Sequence, residues 1–239
     1  MLMDPSNALQ ETFSIIDLSQ PIDRSSPTWT GSCGFAIDVK QDYDSDFLVH
    51  KIHLHASLGT HMDAPAHRFK GKSAVGDLAL TECIVPLCII DVREKASEDY
   101  RINLQDVEQY ENRYGKIPPK SLVIGLTGWY RRWNDCHAYR NADAKGIMHH
   151  PAFTEDAAQF FLYRAISGLA IDTLSPDCLD PSYAVHKAIL GSGKYIIENV
   201  GDCSLVPPRG CYAIALPLAS KDLVECPIRL VALVPKKKL

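Results

Sequence analysis

The stretch His53-Leu54-His55-Ala56-Ser57-Leu58-Gly59-Thr60-His61-Met62-Asp63-Ala64-Pro65-Ala66-His67 constrains this chain more than any other. It gathers four of the nine histidines and one carboxylate. In an extended backbone, side chains alternate between faces, so His61, Asp63 and His67 would share one face. Gly59 permits a bend or a close backbone approach, and Pro65 blocks a regular central strand. The expectation is a strand end fixed by turns, with imidazole and carboxylate projecting together. Those are the donors that zinc and similar divalent ions take. A single histidine, or His-x-Asp alone, is an ordinary surface or core feature. The full string Gly-Thr-His-x-Asp-x-Pro-x-His fixes five residue types at set spacing and points to a metal site.

Apolar runs surround this stretch. Residues 13–18, 49–56, 84–92, 122–127, 168–173, 195–199, 211–216 and 228–234 are dense in Val, Ile and Leu and bounded by turn residues, and they predict strands. Two segments predict helices. Asn103 caps 104–114, and Thr154 caps 155–164, whose first turn is acidic as the helix dipole prefers. Strands outnumber helices and do not alternate strictly with them, which argues for a mixed sheet over a doubly wound fold. At 239 residues and 46% hydrophobic, the chain can bury a full core in one domain, and no linker divides it.

Composition excludes several roles. With 25 Lys and Arg against 29 Asp and Glu, the net charge of −4 gives no case for a nucleic-acid partner. The basic tail Lys236-Lys237-Lys238 reads as a solvated end. No apolar run approaches the ~20 residues that span a bilayer. Met1-Leu2-Met3-Asp4-Pro5 lacks a charged leader region and an apolar one, so a cytoplasmic location is expected. The eight cysteines are scattered, without a C-x-x-C pair, and read as reduced, mostly buried thiols.

The string from Gly59 to His67 resembles the signature of the bacterial kynurenine formamidase and cyclase family of metal-dependent hydrolases, His-x-Gly-Thr-His-x-Asp-x-Pro-x-His. Isatin hydrolase is similar to that family. The likeness recurs in Gly168-Leu169-Ala170-Ile171-Asp172-Thr173-Leu174-Ser175, in His186 and Glu198, and in Cys226-Pro227-Ile228-Arg229. It spans about residues 15–234. It implies an α/β fold, a single mixed β/β/α domain of the swivelling type over 1–239, and a homodimer or higher homo-oligomer. It also implies metal ligands His61, Asp63, His186 and Glu198, with His67 as catalytic acid and base. Read without the resemblance, His186 flanks a helix and Glu198 is an acid at a strand end. A Glu buried beside Ile196 and Ile197 is costly unless paired with a cation.

One departure bears on the metal count. The signature's first histidine falls at Ser57, a neutral and weak donor, so one divalent ion, zinc or manganese, is expected. His55 lies on the same strand face ~6.6 Å away, and a ~2 Å bond tolerates little slack; whether it replaces the missing ligand is left open by sequence. Three further residues have possible pocket or supporting roles: Trp129 after a strand, His149 before the second helix, and Asp172 as a carboxylate partner for a metal-bound histidine.

The reaction expected is hydrolysis of an amide, lactam, lactone or ester of a small molecule by metal-activated water, similar to an arylformamidase. A serine nucleophile finds no G-x-S-x-G elbow. A cysteine paired with a histidine in space is left open by sequence. The alternative from another class is a metal or small-molecule binding protein that kept the fold without turnover.

Overall fold

The computed structural model describes residues 8–236. The leader reading of Met1–Pro5 and two lysines of the basic tail, Lys237 and Lys238, lie outside these residues.

Among the described residues the strands are β1 (Phe13–Asp17), β2 (Phe35–Gln41), β3 (Val49–Leu54), β4 (His61–Asp63), β5 (Ile84–Asp91), β6 (Arg101–Ile102), β7 (Leu122–Leu126), β8 (Ala152–Phe153), β9 (Gly168–Ile171), β10 (Tyr195–Glu198), β11 (Cys211–Leu216), β12 (Glu225–Pro227) and β13 (Arg229–Pro235). The helices are α1 (Ala8–Thr12), α2 (Leu80–Cys83), α3 (Leu104–Tyr114), α4 (Cys136–Arg140), α5 (Glu155–Tyr163) and α6 (Ala184–Gly191). Nine strands form one sheet in the order β1-β13-β11-β5-β7-β9-β10-β4-β12. Its centre, β5-β7-β9-β10, is parallel, and the strands on both flanks are antiparallel. This is the mixed α/β architecture expected.

The central strands are apolar on both faces, as parallel strands buried on two sides must be. Leu87, Ile89, Leu122, Ile124 and Ile197 feed one core. The alternating residues Cys88, Ile90, Val123 and Ile196 feed another, covered by Val107 of α3, Phe161 of α5 and Ile189 of α6. Gly168 is required for close packing, since a Cβ there would lie 2.1 Å from the ring of Tyr195.

α3 starts where its cap predicts. The Asn103 side chain accepts from the Gln105 and Asp106 amides, and Asp106 accepts in return from the Asn103 amide. α5 is capped by Thr154 as expected and ends one residue early, at Tyr163. Several elements escaped the sequence reading, among them the strand at 35–41 and helix α6. The strand at 35–41 pairs with β3 in a separate two-stranded hairpin. Helix α6 places His186 inside a helix, not beside one. Its N-cap, Tyr183, is left-handed at φ 52 and gives no side-chain cap. The carboxylate of remote Asp177 accepts the Val185 and His186 amides at 2.9 Å each, so the start signal is absent from the local sequence.

Candidate metal centre

Strand β4 is short, buried and held between β10 and β12. In that register His61 stands opposite Glu198 on β10 and Asp63 opposite Glu225 on β12. His61 and Asp63, two residues apart, project to one face. Pro65 then opens a 3₁₀ turn, Pro65–His67, so His67 reaches the site from that turn instead of along an extended strand. His186 arrives from α6.

Four side chains converge. His61 Nε2 lies 3.6 Å from Asp63 Oδ1 and 3.3 Å from Glu198 Oε2. His186 Nε2 lies 3.7 Å from Asp63 Oδ2 and 3.3 Å from Glu198 Oε1. All four residues are buried. Both rings are aimed by their other nitrogen. His61 Nδ1 donates to the Gly59 carbonyl at 2.9 Å, and His186 Nδ1 donates to Asp177 at 2.6 Å. Those contacts leave each Nε2 lone pair directed at the centre, the arrangement usual for metal-bound histidines.

The motif's other residues explain themselves locally. Gly59 sits at φ +67, and a Cβ there would come 2.7 Å from Ile22. Thr60 Oγ1 donates to the Asn199 carbonyl at 2.6 Å and accepts from the Gln20 amide at 2.8 Å, which ties the entry of β4 to the exit of β10. Asn199 also donates to the Gly59 carbonyl at 3.0 Å.

Electrostatics couple the buried groups of the centre tightly. Burial opposes charge on His61, but Glu198 and Asp63 outweigh it and raise the imidazole pKa to about 9. Burial likewise opposes charge on His186, yet Asp177, Asp63 and Glu198 carry its pKa well above the ordinary value. Burial would raise the Glu198 pKa, and His186 and His61 pull it down to about 2. Glu225 is pushed up by burial and then by the charge of Asp63. Asp63 Oδ1 is buried with no hydrogen-bond donor.

The donors fit a divalent cation. Bonds of ~2.0–2.2 Å in tetrahedral geometry separate ligand atoms by roughly 3.4 Å, close to the 3.3–3.7 Å found here. The groupings Asp63, His67, His186 and His61, Asp63, Glu225 each offer ligand atoms within 4.8 Å of one another.

The centre lines a cavity of about 380 Å³. Ser57 and His67 line it too, with Trp29, Leu174 and Tyr183 as apolar walls. The His67 side chain is 35% exposed, and its Nδ1 lies 3.3 Å from Glu225 Oε2. Three residues of sequence interest lie elsewhere. Trp129 is buried, donates to the Tyr139 carbonyl and carries Arg132 on its face. His149 pairs with Asp99 on the surface, while its neighbour His150 is the buried one. Asp172 touches neither centre histidine; it accepts from Thr127 and Gly128 and holds their loop. Asp177 and the Gly59 carbonyl fill the supporting role that Asp172 was expected to take. His53 pairs with Asp38 on the exposed hairpin, and His55 is not among the cavity residues. Sequence reading missed Asp177, Glu225, Trp29 and Tyr183. Only Glu225 carried a signal, as an acid beside the recognised Cys226-Pro227 strand.

The family model described as "Putative cyclase" matches residues 16–178, more than half of the chain. The chain belongs to the Cyclase family. The matched segment carries His61, Asp63 and His67, whereas His186, Glu198 and Glu225 lie beyond it. An isatin hydrolase of Roseibium aggregatum is 29% identical over 209 residues, 82% of this chain and 79% of the relative. A kynurenine formamidase of Bacillus thuringiensis subsp. konkukian is 29% identical over 231 residues, 92% of this chain and 98% of the relative. Isatin hydrolase A of Labrenzia aggregata, solved with benzyl benzoate, is 25% identical with a TM-score of 0.88 over 97% of both chains. A protein from Bacillus stearothermophilus described as a metal-dependent hydrolase shares the fold at 20% identity and TM-score 0.72, over 92% of this chain and 98% of that one. The chain therefore sits among hydrolases of the Cyclase family.

Proposed function

We propose that this Cyclase-family chain hydrolyses an amide, lactam, lactone or ester of a small molecule at a divalent-metal centre held by His61, Asp63, His186 and Glu198. The observation that carries the reading is the paired aim of the two imidazoles. Each spends Nδ1 on a fixed acceptor and turns Nε2 toward the same two buried carboxylates. Zinc and manganese both suit this nitrogen and oxygen set. A bound ion supplies a water of lowered pKa and a Lewis acid for the scissile carbonyl.

The chain's own groups do the rest. His67 is the acid and base. It borders the cavity, is partly open to solvent, and has one nitrogen turned to Glu225. An imidazole can both accept and donate a proton, as this role requires. It takes the proton of the attacking water and returns it to the departing nitrogen or oxygen. Trp29, Leu174 and Tyr183 give the cavity apolar walls that favour a flat, aryl-bearing substrate, similar to that of an arylformamidase, and exclude competing water. Asp172 keeps the loop from Thr127 to Tyr130 in place.

One sheet drawing strands from Phe13 through Pro235 supports a single domain. The β2–β3 hairpin exposes Val39, Phe47 and Ile52, and an isolated hairpin is marginal in water; both support a homo-oligomer. Eight free cysteines support a reducing, cytoplasmic setting. No helix among the described residues is long and apolar enough to cross a membrane.

The test is elemental analysis of untagged protein, purified without chelator, beside hydrolysis of a panel of aryl formamides, lactams, lactones and esters. Bound zinc or manganese with turnover abolished by chelation is the expected result. Metal without turnover on any substrate would favour the binding-protein alternative. Chelator-insensitive turnover would point to a cysteine or serine nucleophile.

A further inference from the structure

One acid of the cavity has no part in the proposed ligand set. Glu225 stands directly opposite Asp63 in the register of β12 with β4. Opposed residues bring their Cβ atoms about 4.5–5.5 Å apart, and like charges so placed destabilise a sheet. Glu225 nevertheless lines the cavity with its side chain only 21% exposed. A carboxylate held there against burial and a like charge needs a donor. Among the described residues its ion-pair partner is His67, whose Nδ1 lies 3.3 Å from Oε2.

The backbone holds these two side chains to each other. The Ala64 amide donates to the Val224 carbonyl at 2.9 Å, the Val75 amide to the Leu223 carbonyl at 3.0 Å and the Gly76 amide to the Ser220 carbonyl at 3.0 Å. Gly76 lies so near that segment that a Cβ would come 2.4 Å from the Ser220 carbonyl oxygen. The turn that carries His67 is closed by its own amide on the Ala64 carbonyl at 2.9 Å and by the Ala66 amide on the Ser73 carbonyl at 3.0 Å. The loop after β4 is thus stitched to the segment leading into β12, and main chain sets the spacing of His67 and Glu225. The two nitrogens of an imidazole lie on diverging sides of the ring. With Nδ1 turned to Glu225, His67 Nε2 has no hydrogen-bond or ion-pair partner among the described residues, in a ring whose centroid is 6.3 Å from that of His186.

We propose that Glu225 is the positioning residue of His67: its carboxylate accepts from Nδ1–H, which leaves the Nε2 lone pair free to act as the base. This rests on the proposed function above, in which His67 is the acid and base. A base whose second nitrogen is held by a carboxylate is the arrangement of hydrolytic triads, where the carboxylate fixes the tautomer and stabilises the imidazolium without taking its proton. Here an O–H bond of the attacking water breaks as the Nε2–H bond forms and the water oxygen bonds the carbonyl carbon. The Nδ1–H bond stays intact beside Glu225. Nε2 then gives its proton to the departing nitrogen or oxygen, so the pair ends as it began. The 3.3 Å separation suits a resting state, since such contacts commonly tighten only around substrate. The competing role for Glu225 is that of a metal ligand, because one ligand atom each of His61, Asp63 and Glu225 falls within 4.8 Å of the others.

The experiment reads the tautomer and the kinetics. Long-range ¹H–¹⁵N correlation spectra of zinc-supplemented protein at mildly alkaline pH, with the ring assigned by its loss in His67→Ala, should show wild-type His67 protonated at Nδ1. In Glu225→Gln the two tautomers should mix. A wild-type ring protonated at Nε2 overturns the inference, and that result depends neither on a variant folding nor on a substrate. On an aryl formamide or ester that wild type turns over, Glu225→Gln, close to isosteric, should lower kcat by roughly 10²-fold, and by no more than His67→Ala does. Its KM and bound metal should be little changed. His67→Ala and the double variant should share one kcat, because residues that act as a unit are not additive. Loss of metal in Glu225→Gln makes Glu225 a ligand and overturns the inference, as does a further loss of kcat in the double variant. Full kcat in Glu225→Gln with turnover lost in His67→Ala overturns the inference and leaves the proposed function standing. Full kcat in His67→Ala overturns the acid–base reading and the inference together.

Discussion

Asp177 is the residue on which the aim of His186 depends, and Asp177→Asn tests that aim directly. The buried carboxylate accepts three N–H groups: Val185 at Oδ1, and the amide and Nδ1 of His186 at Oδ2. An asparagine amide offers one acceptor oxygen and one donor nitrogen. With its oxygen toward His186, the Val185 amide loses its partner, and helix α6 gives up part of its N-cap, worth about 1 kcal/mol. With its nitrogen toward His186, Nδ1 must become the acceptor. The ring proton then moves to Nε2, the atom that faces Asp63 and Glu198. Either outcome also replaces a charge-assisted hydrogen bond by a weaker neutral one. Losing such an outer partner typically weakens metal binding 10–100-fold, about 1.4–2.7 kcal/mol. Competition with a chelating dye should show that loss in Asp177→Asn, with the chelated protein destabilised by only about 1–3 kcal/mol. Asp172→Asn is the control. Its carboxylate is equally buried and holds a loop instead of a ligand, so it should lower stability while leaving metal affinity unchanged. Wild-type metal affinity in Asp177→Asn, or an equal loss in Asp172→Asn, would refute the reasoning.

Other consequences follow from the same geometry. His67→Ala should lower turnover by roughly 10²–10⁴ with bound metal unchanged; joint loss of metal and activity would instead make His67 a ligand. In metal-free protein, His61 is raised from 6.5 to about 9 and His186 is raised as well. Their stabilisation is complete below pH 6.5 and is lost as pH climbs through about 9, on the order of 3 kcal/mol for His61. Glu198, lowered to about 2, contributes above pH 4.5 and loses that contribution as pH falls toward 2. The Tm of chelated protein should therefore fall between pH 6.5 and 9, and a rise would count against the buried histidinium pair. Because ions displace those protons, metal affinity should move the opposite way and tighten as pH rises. At free metal 100-fold above Kd, loading should add about 2.7 kcal/mol of stability. Gly59→Ala should cost about 1–3 kcal/mol for the positive φ and weaken metal binding as well, since the Gly59 carbonyl aims His61; an unchanged Tm would show that the turn tolerates a Cβ.

What could be read from the sequence divides along the range of the interactions involved. Asn103 and Thr154 cap helices through neighbours two and three residues away, and β11 coincides with its apolar run at Cys211–Leu216. The motif from Gly59 to His67 is legible because its logic is also local: a glycine turn aims the first ring, alternation aims the carboxylate, and Pro65 opens the turn that carries His67. What escaped depends on distant chain. The cap of α6 comes from a carboxylate upstream of the turn that precedes the helix, so propensity saw no start, and Asp177 looked like any loop acid. Asp172, better placed by pattern, was the natural guess for the same chemistry. Glu225 is the sharper case. Its neighbour at the cavity, Asp63, lies across a strand pair that closes only when the C-terminal segment returns to the sheet edge beside β4. No window on the sequence holds both residues. The metal chemistry of this chain therefore has a local half, written in one motif, and a topological half, written in the order β10-β4-β12. That order sets Glu198 against His61 and Glu225 against Asp63, so the strand pairing fixes which carboxylates meet at the proposed centre.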